Sequence, residues 1–275
     1  IPSGLCADSG RVIGPDLSSV FHCDLTVSFH RAKQGHYLAS GPEVCGQIIV
    51  KDIGLCAIEA ETGLRLTAPN SEALRKTAQS HKFQHGHALA LAGGAGKTGA
   101  ARLAARAALR IGAGLVTLGV PGSAHMEVAS HVTALMLQRA GTADELVSVL
   151  SDSRMNALCL GPGLGRERAK ALVPIALQAK RATVLDADAL SAFSGDPVAL
   201  FGMLPDRCVL TPHGGEFARL FPDLAEMLNA AVVRGPAYSK VDATRDAAVR
   251  AGCVVLFKGA DTVIAAPDGR RGINS

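Results

Sequence analysis

The sequence predicts an α/β fold: a mostly parallel sheet flanked by helices. Between residues 156 and 216, three short apolar runs each end in a burst of glycine or polar residues. Ala157-Leu158-Cys159-Leu160 runs into Gly161-Pro162-Gly163-Leu164-Gly165. Thr183-Val184-Leu185 runs into Asp186-Ala187-Asp188. Cys208-Val209-Leu210 runs into Thr211-Pro212-His213-Gly214-Gly215-Glu216. The segments between them are long enough for helices, and that alternation reads as a parallel α/β sheet. The 275 residues include no Trp, two Tyr and eight Phe, so aliphatic strands and Ala-rich helices must build the core. In such sheets ligands sit outside the carboxyl ends of the strands. The three bursts are therefore expected to share one edge.

The other elements follow in order. Residues 24–29 and 47–53 read as strands, separated by a Gly- and Pro-punctuated stretch at 33–46. Two or three strands are too few for an independent sheet. This segment either pairs with the main sheet or belongs to a domain whose beginning is absent. Residues 61–80, with Pro69, Asn70 and Ser71 and little apolar pattern, read as a linker. A strand at 88–91 enters the GGAGKTG run at 93–99, and a helix follows at 100–111. Arg102, Arg106 and Arg110 line one face of it, read as a solvated face rather than a phosphate-binding stripe. A strand is expected at 115–120, and helices at 124–137 and 143–150. Residues 222–250 read as mostly helical with a break at Gly235-Pro236. A strand at 253–257 and a hairpin over 263–273 complete the chain.

Composition narrows the function. Apolar residues make up 48% and charged residues 19%, which marks a globular chain large enough for one large domain or two smaller ones. A dispersed net charge of +4 argues against nucleic acid and against a membrane surface. No apolar run reaches spanning length. The seven cysteines form no CxxC pair, so a reducing, cytoplasmic setting is expected.

Several positions carry candidate chemistry. The 93–99 run is not a Walker loop, because Leu91 stands where the first glycine is required. It can still bring backbone close to a ligand, ahead of the N–H groups of a helix. The 161–165 run lacks dinucleotide-fingerprint spacing and is weak alone. Asp186 and Asp188 at a strand end repel one another, so a metal, water network or substrate is expected to compensate. A helix cap explains one of them, not both. His213 is held between Pro212 and two glycines, and Glu216 has the spacing of a capping-box partner. Lys258, followed by Gly259, Ala260, Asp261 and Thr262, suits a nucleotide phosphate. A metal at His81, His85 and His87 is rejected, since no Cys or acid has matching spacing.

Taken together, GGAGKTGA at 93–100, GAGLVTL at 112–118, GPGLG at 161–165, LDADAL at 185–190, TPHGGEF at 211–217 and KGADT at 258–262 resemble the ADP- or ATP-dependent NAD(P)H-hydrate dehydratases. These are members of the ribokinase-like superfamily. Residues 1–60, with IPSGL at 1–5 and FHRAKQGH at 29–36, resemble the end of an NAD(P)H-hydrate epimerase domain, a Rossmann-like domain often fused ahead of the dehydratase in bacteria. The resemblance implies an epimerase remnant at 1–60, a linker at 61–80 and a dehydratase domain at 81–275. It implies a lyase that restores NAD(P)H from the S epimer of its hydrate, using ADP or ATP and Mg²⁺. Epimerase activity and K⁺ would belong to the full-length protein, and homo-oligomers are typical. Ala100, Gly163 and His213 would contact the hydrated cofactor. Residues 258–262 would contact the nucleotide. Asp186 and Asp188 would order the substrate edge or Mg²⁺ waters, and Ser3 matches a potassium-ligating serine.

The pattern also departs from the family. Its catalytic aspartate lies in a GSGD-type motif that would follow Ser275, and the chain starts one residue inside the epimerase DxPSG motif. The expectation is a fragment cut at both ends and inactive by itself. Two alternatives stay open: a ribokinase-like sugar or vitamin kinase, and a non-catalytic nucleotide-binding protein.

Overall fold

The computed structural model describes residues 1–14, 20–56, 63–70, 72–77 and 79–275. The N-terminal stretch forms β1 (Leu25–Phe29), the short helix α1 (Gly41–Cys45), β2 (Gln47–Lys51) and β3 (Leu64–Leu66). Strands and helices then alternate through β4 (His87–Leu91), α2 (Gly99–Arg110), β5 (Leu115–Val120), α3 (His125–Ala129), β6 (Met136–Arg139), α4 (Ala143–Leu150) and β7 (Met155–Leu160). They continue through α5 (Arg166–Gln178), β8 (Ala182–Leu185), α6 (Asp188–Ser191), α7 (Pro197–Phe201) and β9 (Cys208–Leu210). The chain ends in α8 (Gly214–Leu220), α9 (Pro222–Asn229), α10 (Lys240–Ala251), β10 (Val254–Phe257), β11 (Thr262–Ala265) and β12 (Arg271–Asn274).

These elements fold as two compact units. One comprises Pro69–Pro212 and Ala251–Cys253. Its strands lie in the order β9-β8-β7-β4-β5-β6, and every neighbouring pair is parallel. From β4 the chain builds outward on one side through β5 and β6. It then returns to the other side of β4 with β7, β8 and β9. The order reverses between β4 and β7, which makes that gap the topological switch point of a doubly wound sheet.

Burial follows the pattern of an inner strand. The β5 residues Val116, Thr117, Leu118 and Val120 are all buried. Helix α2 presents Ala101 and Ala105 to this core while Leu103 faces water. Small residues on the packing face let the helix lie close to the sheet. Helix α4 begins at Thr142, whose hydroxyl accepts the Glu145 N–H, while the Glu145 carboxylate accepts from Gly141 and Thr142. That is a complete capping box.

One sequence expectation fails here. The helix predicted at 124–137 stops at Ala129, and Met136 to Arg139 pair with β5 as an edge strand. Burial of Leu135 and partial burial of Leu137 against the sheet outweigh the helical preference of the Ala-Leu-Met-Leu run.

The other unit comprises Ile1–Ala68, His213–Arg250 and Val254–Ser275. It contains a parallel pair, β1 with β2, and a ribbon in the order β3-β12-β11-β10. In the ribbon, β10, β11 and β12 are antiparallel neighbours and β3 adds in parallel to β12. Strand β3 lies inside the 61–80 segment read as a linker. Leu64 packs there against a cluster of Leu38, Val241, Val263 and Ile273. Arg11 donates to the carbonyls of Leu228 and Ala230 at 2.6 and 2.7 Å. This compact unit therefore joins residues from both sides of the boundary drawn at 60–80.

Two outcomes follow. Leu118 is fully buried at the middle of β5. Leu118→Ala removes its packing and is expected to cost about 2–5 kcal/mol, read as a lower urea midpoint. His87 and His36 are both buried, and burial holds each imidazole below its ordinary 6.5. The folded state therefore prefers neutral rings, and the unfolded state takes up protons first as pH falls. Stability from these groups is full above 6.5 and is lost as pH falls toward and through the lowered folded values. Urea midpoints across a pH series should decline in acid, with a shallower decline in His87→Asn.

Candidate functional site

At the switch point, the glycine loop after β4 meets the glycine loop after β7. A Cβ on Gly93 would strike the carbonyl oxygen of Gly163. A Cβ on Gly163 would in turn lie 2.6 Å from the carbonyl oxygen of Lys97. Gly163 also has φ +68°, a left-handed conformation that glycine adopts without strain. The contact is backbone on backbone, and side chains at either position would part the loops.

Arg168 on α5 ties this edge together. Its guanidinium donates to the carbonyls of Ala92 at 3.1 Å, Gly141 at 3.3 Å, and Ala140 and Leu164 at 3.4 Å. It thus links the ends of β4 and β6 with the loop after β7. The adjacent β8 edge is fixed as well. Asp188 Oδ2 accepts the Gly165 N–H at 2.8 Å, and Asp186 Oδ1 accepts the Thr211 hydroxyl at 2.9 Å. Between them Ala187 is held at φ 47°, an uncommon conformation for a residue with a side chain. A helix cap accounts for neither aspartate: α6 starts without a side-chain cap. Each carboxylate instead pins a neighbouring loop. Ala100 lies exposed in the first turn of α2. Gly163, Asp186, Asp188 and Ala100 therefore belong to one unit, at the carboxyl ends of its strands.

His213, Lys258 and the KGADT loop belong to the other unit. His213 is the N-cap of α8. Its Nδ1 accepts the Gly215 N–H at 3.0 Å, so the neutral ring carries its proton on Nε2. Glu216 is buried, and its Oε2 accepts the His213 N–H at 2.9 Å. The same carboxylate lies 3.5 Å from His213 Nε2 and 4.0 Å from Lys258 Nζ. Glu216 is therefore a capping residue and also the fixed negative charge between an exposed imidazole and an ammonium. Phe217 stacks on Phe257 at 4.1 Å between centroids, which couples α8 to β10.

The KGADT loop is internally braced. Thr262 Oγ1 donates to the Gly259 carbonyl at 2.8 Å and accepts the Gly259 N–H at 3.2 Å. Lys240 on α10 donates to Asp261 Oδ1 at 2.6 Å, and the Ala39 N–H donates to Asp261 Oδ2 at 2.9 Å. Both carboxylate oxygens of Asp261 are thus engaged within the protein. Its side chain shapes the loop, in which Lys258 is half-buried and Gly259 and Ala260 are exposed.

The remaining candidates fall elsewhere. Ser3 is exposed near the N-terminal bridge between Leu5 and Val12. Arg106 and Arg110 are solvent-facing, and with Leu109 and His131 they line a cavity of 290 Å³ at the far end of α2 from the glycine loop. His85 and His87 bond to Ser80 and Thr117, each at 2.7 Å. Among the described residues no three His, Cys, Asp or Glu side chains cluster to hold a metal. No described helix is long and apolar enough to cross a membrane.

Sequence reasoning missed Arg168, Thr211's partnership with Asp186, Lys240, and Glu127. Lys240 and Glu127 each reach their loop from a separate helix, a pairing that no local spacing announces. Arg168 alone had a local hint, following the third glycine of the 161–165 run by three residues.

The bifunctional NAD(P)H-hydrate repair enzyme of Moorella thermoacetica is 36% identical over an alignment covering 100% of this chain and 52% of that protein. Its counterpart in Coxiella burnetii is 35% identical over 80% of this chain and 44% of its own length. The chain spans about half the length of these curated relatives. Among solved structures, a ribokinase-like superfamily protein from Enterococcus faecalis V583 superposes with a TM-score of 0.61 at 19% identity, over 80% of this chain and 74% of its own. That match shows the fold alone. The Bacillus subtilis ADP/ATP-dependent NAD(P)H-hydrate dehydratase, co-crystallized with ATP/Mg²⁺, superposes with a TM-score of 0.59 at 28% identity, over 74% of this chain and 69% of its own. The fold is thus the ribokinase-like α/β fold with its mostly parallel sheet and flanking helices. The family model for NAD(P)H-hydrate dehydratase matches residues 88–275, and the chain belongs to that family.

Proposed function

We propose that this chain supplies the cofactor-holding and nucleotide-holding parts of a nucleotide-dependent NAD(P)H-hydrate dehydratase. The observation that carries the reading is the meeting of two glycine loops at the switch point, inside the stretch matched by the family. Glycine there removes side-chain bulk, so a ligand can approach the backbone closely. Ala100 and Gly163 would face the hydrated cofactor from this edge. The motif resemblance gives His213, beside the buried Glu216, a cofactor contact as well. Lys258, Gly259 and Ala260 would take the nucleotide phosphates, in a loop whose shape Asp261 and Thr262 maintain.

The reaction transfers the terminal phosphoryl group of ADP or ATP to the hydroxyl on the hydrated ring. The hydroxyl oxygen forms the new P–O bond, and the nucleotide's bridging P–O bond breaks. The ring C–O bond then breaks, phosphate leaves with the electron pair, and loss of the neighbouring proton restores the reduced nicotinamide. Phosphate is a far better leaving group than hydroxide, which is why a nucleotide is needed. The protein contributes chiefly position and charge neutralisation. The β8 edge has oxygen donors alone, in Asp186, Asp188 and Thr211, a set that suits the waters of a Mg²⁺ ion held mainly by phosphates. Mg²⁺, when bound, neutralises phosphate charge.

Epimerisation of the hydrate by the whole protein, potassium near Ser3, a homo-oligomeric state and a cytoplasmic location are further parts of the proposal, carried by the motif resemblance.

Expressed from its complete gene, the protein should return NADH absorbance from hydrated NADH faster with ADP or ATP than without. Equal rates would sink the reading, and a phosphorylated product that accumulates would favour a kinase. Lys258→Ala should weaken nucleotide binding about tenfold, roughly 1.4 kcal/mol, with little change in affinity for NADPH.

A further inference from the structure

Thr98 is the N-cap residue of α2. An N-cap threonine ordinarily turns its hydroxyl onto the N–H groups of its own helix. Thr98 has helical backbone, φ −95° and ψ −15°, and makes no such bond. Its hydroxyl, on a residue only 1% exposed, donates instead to Glu127 Oε1 at 2.6 Å. The other oxygen, Glu127 Oε2, accepts the Gly96 N–H at 2.7 Å.

One carboxylate thus grips the glycine loop at two points, from a helix that follows the next strand. Both bonds are short and charge-assisted, the strong kind. Thr98 and then Gly96 hold the Glu127 carboxyl below its usual range, and the nearby Arg102 and His131 add to that. Gly96 sits at φ +75°, with nothing within 4 Å of a Cβ placed there. Space does not select this loop shape, and the hydrogen bonds to Glu127 supply the restraint. With that helical backbone, the N–H groups at the second and third positions of α2, those of Ala100 and Ala101, receive no cap from Thr98.

We propose that Glu127 is the positioning residue of the glycine loop: it holds residues 96–98, and with them the start of α2 at Ala100, in place for the cofactor. The inference rests on the proposed cofactor role of that loop. Glu127 itself touches no reacting atom. Its effect is on affinity for the reduced cofactor, and it leaves the nucleotide-binding loop alone.

The test uses the purified chain with Glu127→Ala, Glu127→Gln and Thr98→Val. NADPH serves as the stable product ligand, followed by its fluorescence, and ADP is titrated separately. Glu127→Ala should weaken NADPH about tenfold, the scale of one lost charged hydrogen bond, while ADP affinity stays within about twofold. Glu127→Gln, which keeps one acceptor oxygen, should fall between. Glu127→Ala should cost less in a Thr98→Val background, since the two residues act through one contact. Amide exchange at Gly96 reads the grip without any ligand and should quicken in Glu127→Ala. Unchanged exchange at Gly96 overturns the proposal, as does unchanged NADPH affinity or an equal fall in ADP affinity. Failure of the unmodified chain to bind NADPH sinks the cofactor reading instead, and Gly96 exchange then still decides whether Glu127 holds the loop.

Discussion

Backbone packs on backbone where the chain reverses direction across its parallel sheet, and the candidate site depends on that contact. Gly93 lies against the Gly163 carbonyl, and Gly163 against that of Lys97. With no side chains between them, the loops after β4 and β7 become one continuous surface of peptide groups. Peptide groups so exposed need partners. Arg168 takes several of the carbonyls, and Glu127 and Asp188 take N–H groups at the margins. The partners are charged and come from separate helices, so the surface is held from outside its own sequence. This is the form of preorganisation that the proposed phosphoryl transfer would require, since binding geometry does most of the work in such reactions.

The second unit uses the same device with different residues. Glu216 is buried beside an exposed histidine and within 4.0 Å of Lys258. A buried carboxylate is costly unless it is hydrogen-bonded, and Glu216 receives the His213 N–H as the second half of a capping box. The structural and chemical readings of this glutamate do not compete. The cap provides the bond that lets the charge stay buried, and the buried charge then orients the imidazole and the ammonium. Lys240 plays the equivalent part for Asp261, with its ammonium also 4.5 Å from the Phe257 ring centroid.

Much of this was legible in the sequence. The parallel strands from β4 to β9, apart from β6, appear as apolar runs closed by glycine or acid, because strands buried on both faces must be nearly continuous in hydrophobicity. The same punctuation located Gly163, Asp186, His213 and Lys258. Strand β6 was misread because four residues at a sheet edge carry no periodicity to separate them from a helix. Strand β3 escaped for a related reason: its three residues are a strand only because β12 lies beside them. The braces were hidden more deeply. Glu127 and Gly96 are 31 residues apart, and Lys240 and Asp261 are 21 apart. Nothing local distinguishes such a glutamate or lysine from one on a solvated face.

The two aspartates after β8 show how the braces bear on chemistry. From sequence, paired acids at a strand end call for a metal, a water network or a substrate to offset their repulsion. In the fold each already accepts a hydrogen bond, Asp186 from Thr211 and Asp188 from Gly165, and the residue between them is held in a left-handed conformation. A carboxylate so engaged keeps its position whether or not a cation is present. Magnesium binds reluctantly without its waters and prefers phosphate oxygens. In the proposed role of ordering Mg²⁺ waters, these carboxylates therefore keep the loop contacts they already make. The aspartates are thus better suited to geometry than to capture: Asp188 fixes the glycine loop after β7, and Asp186 the start of the loop after β9.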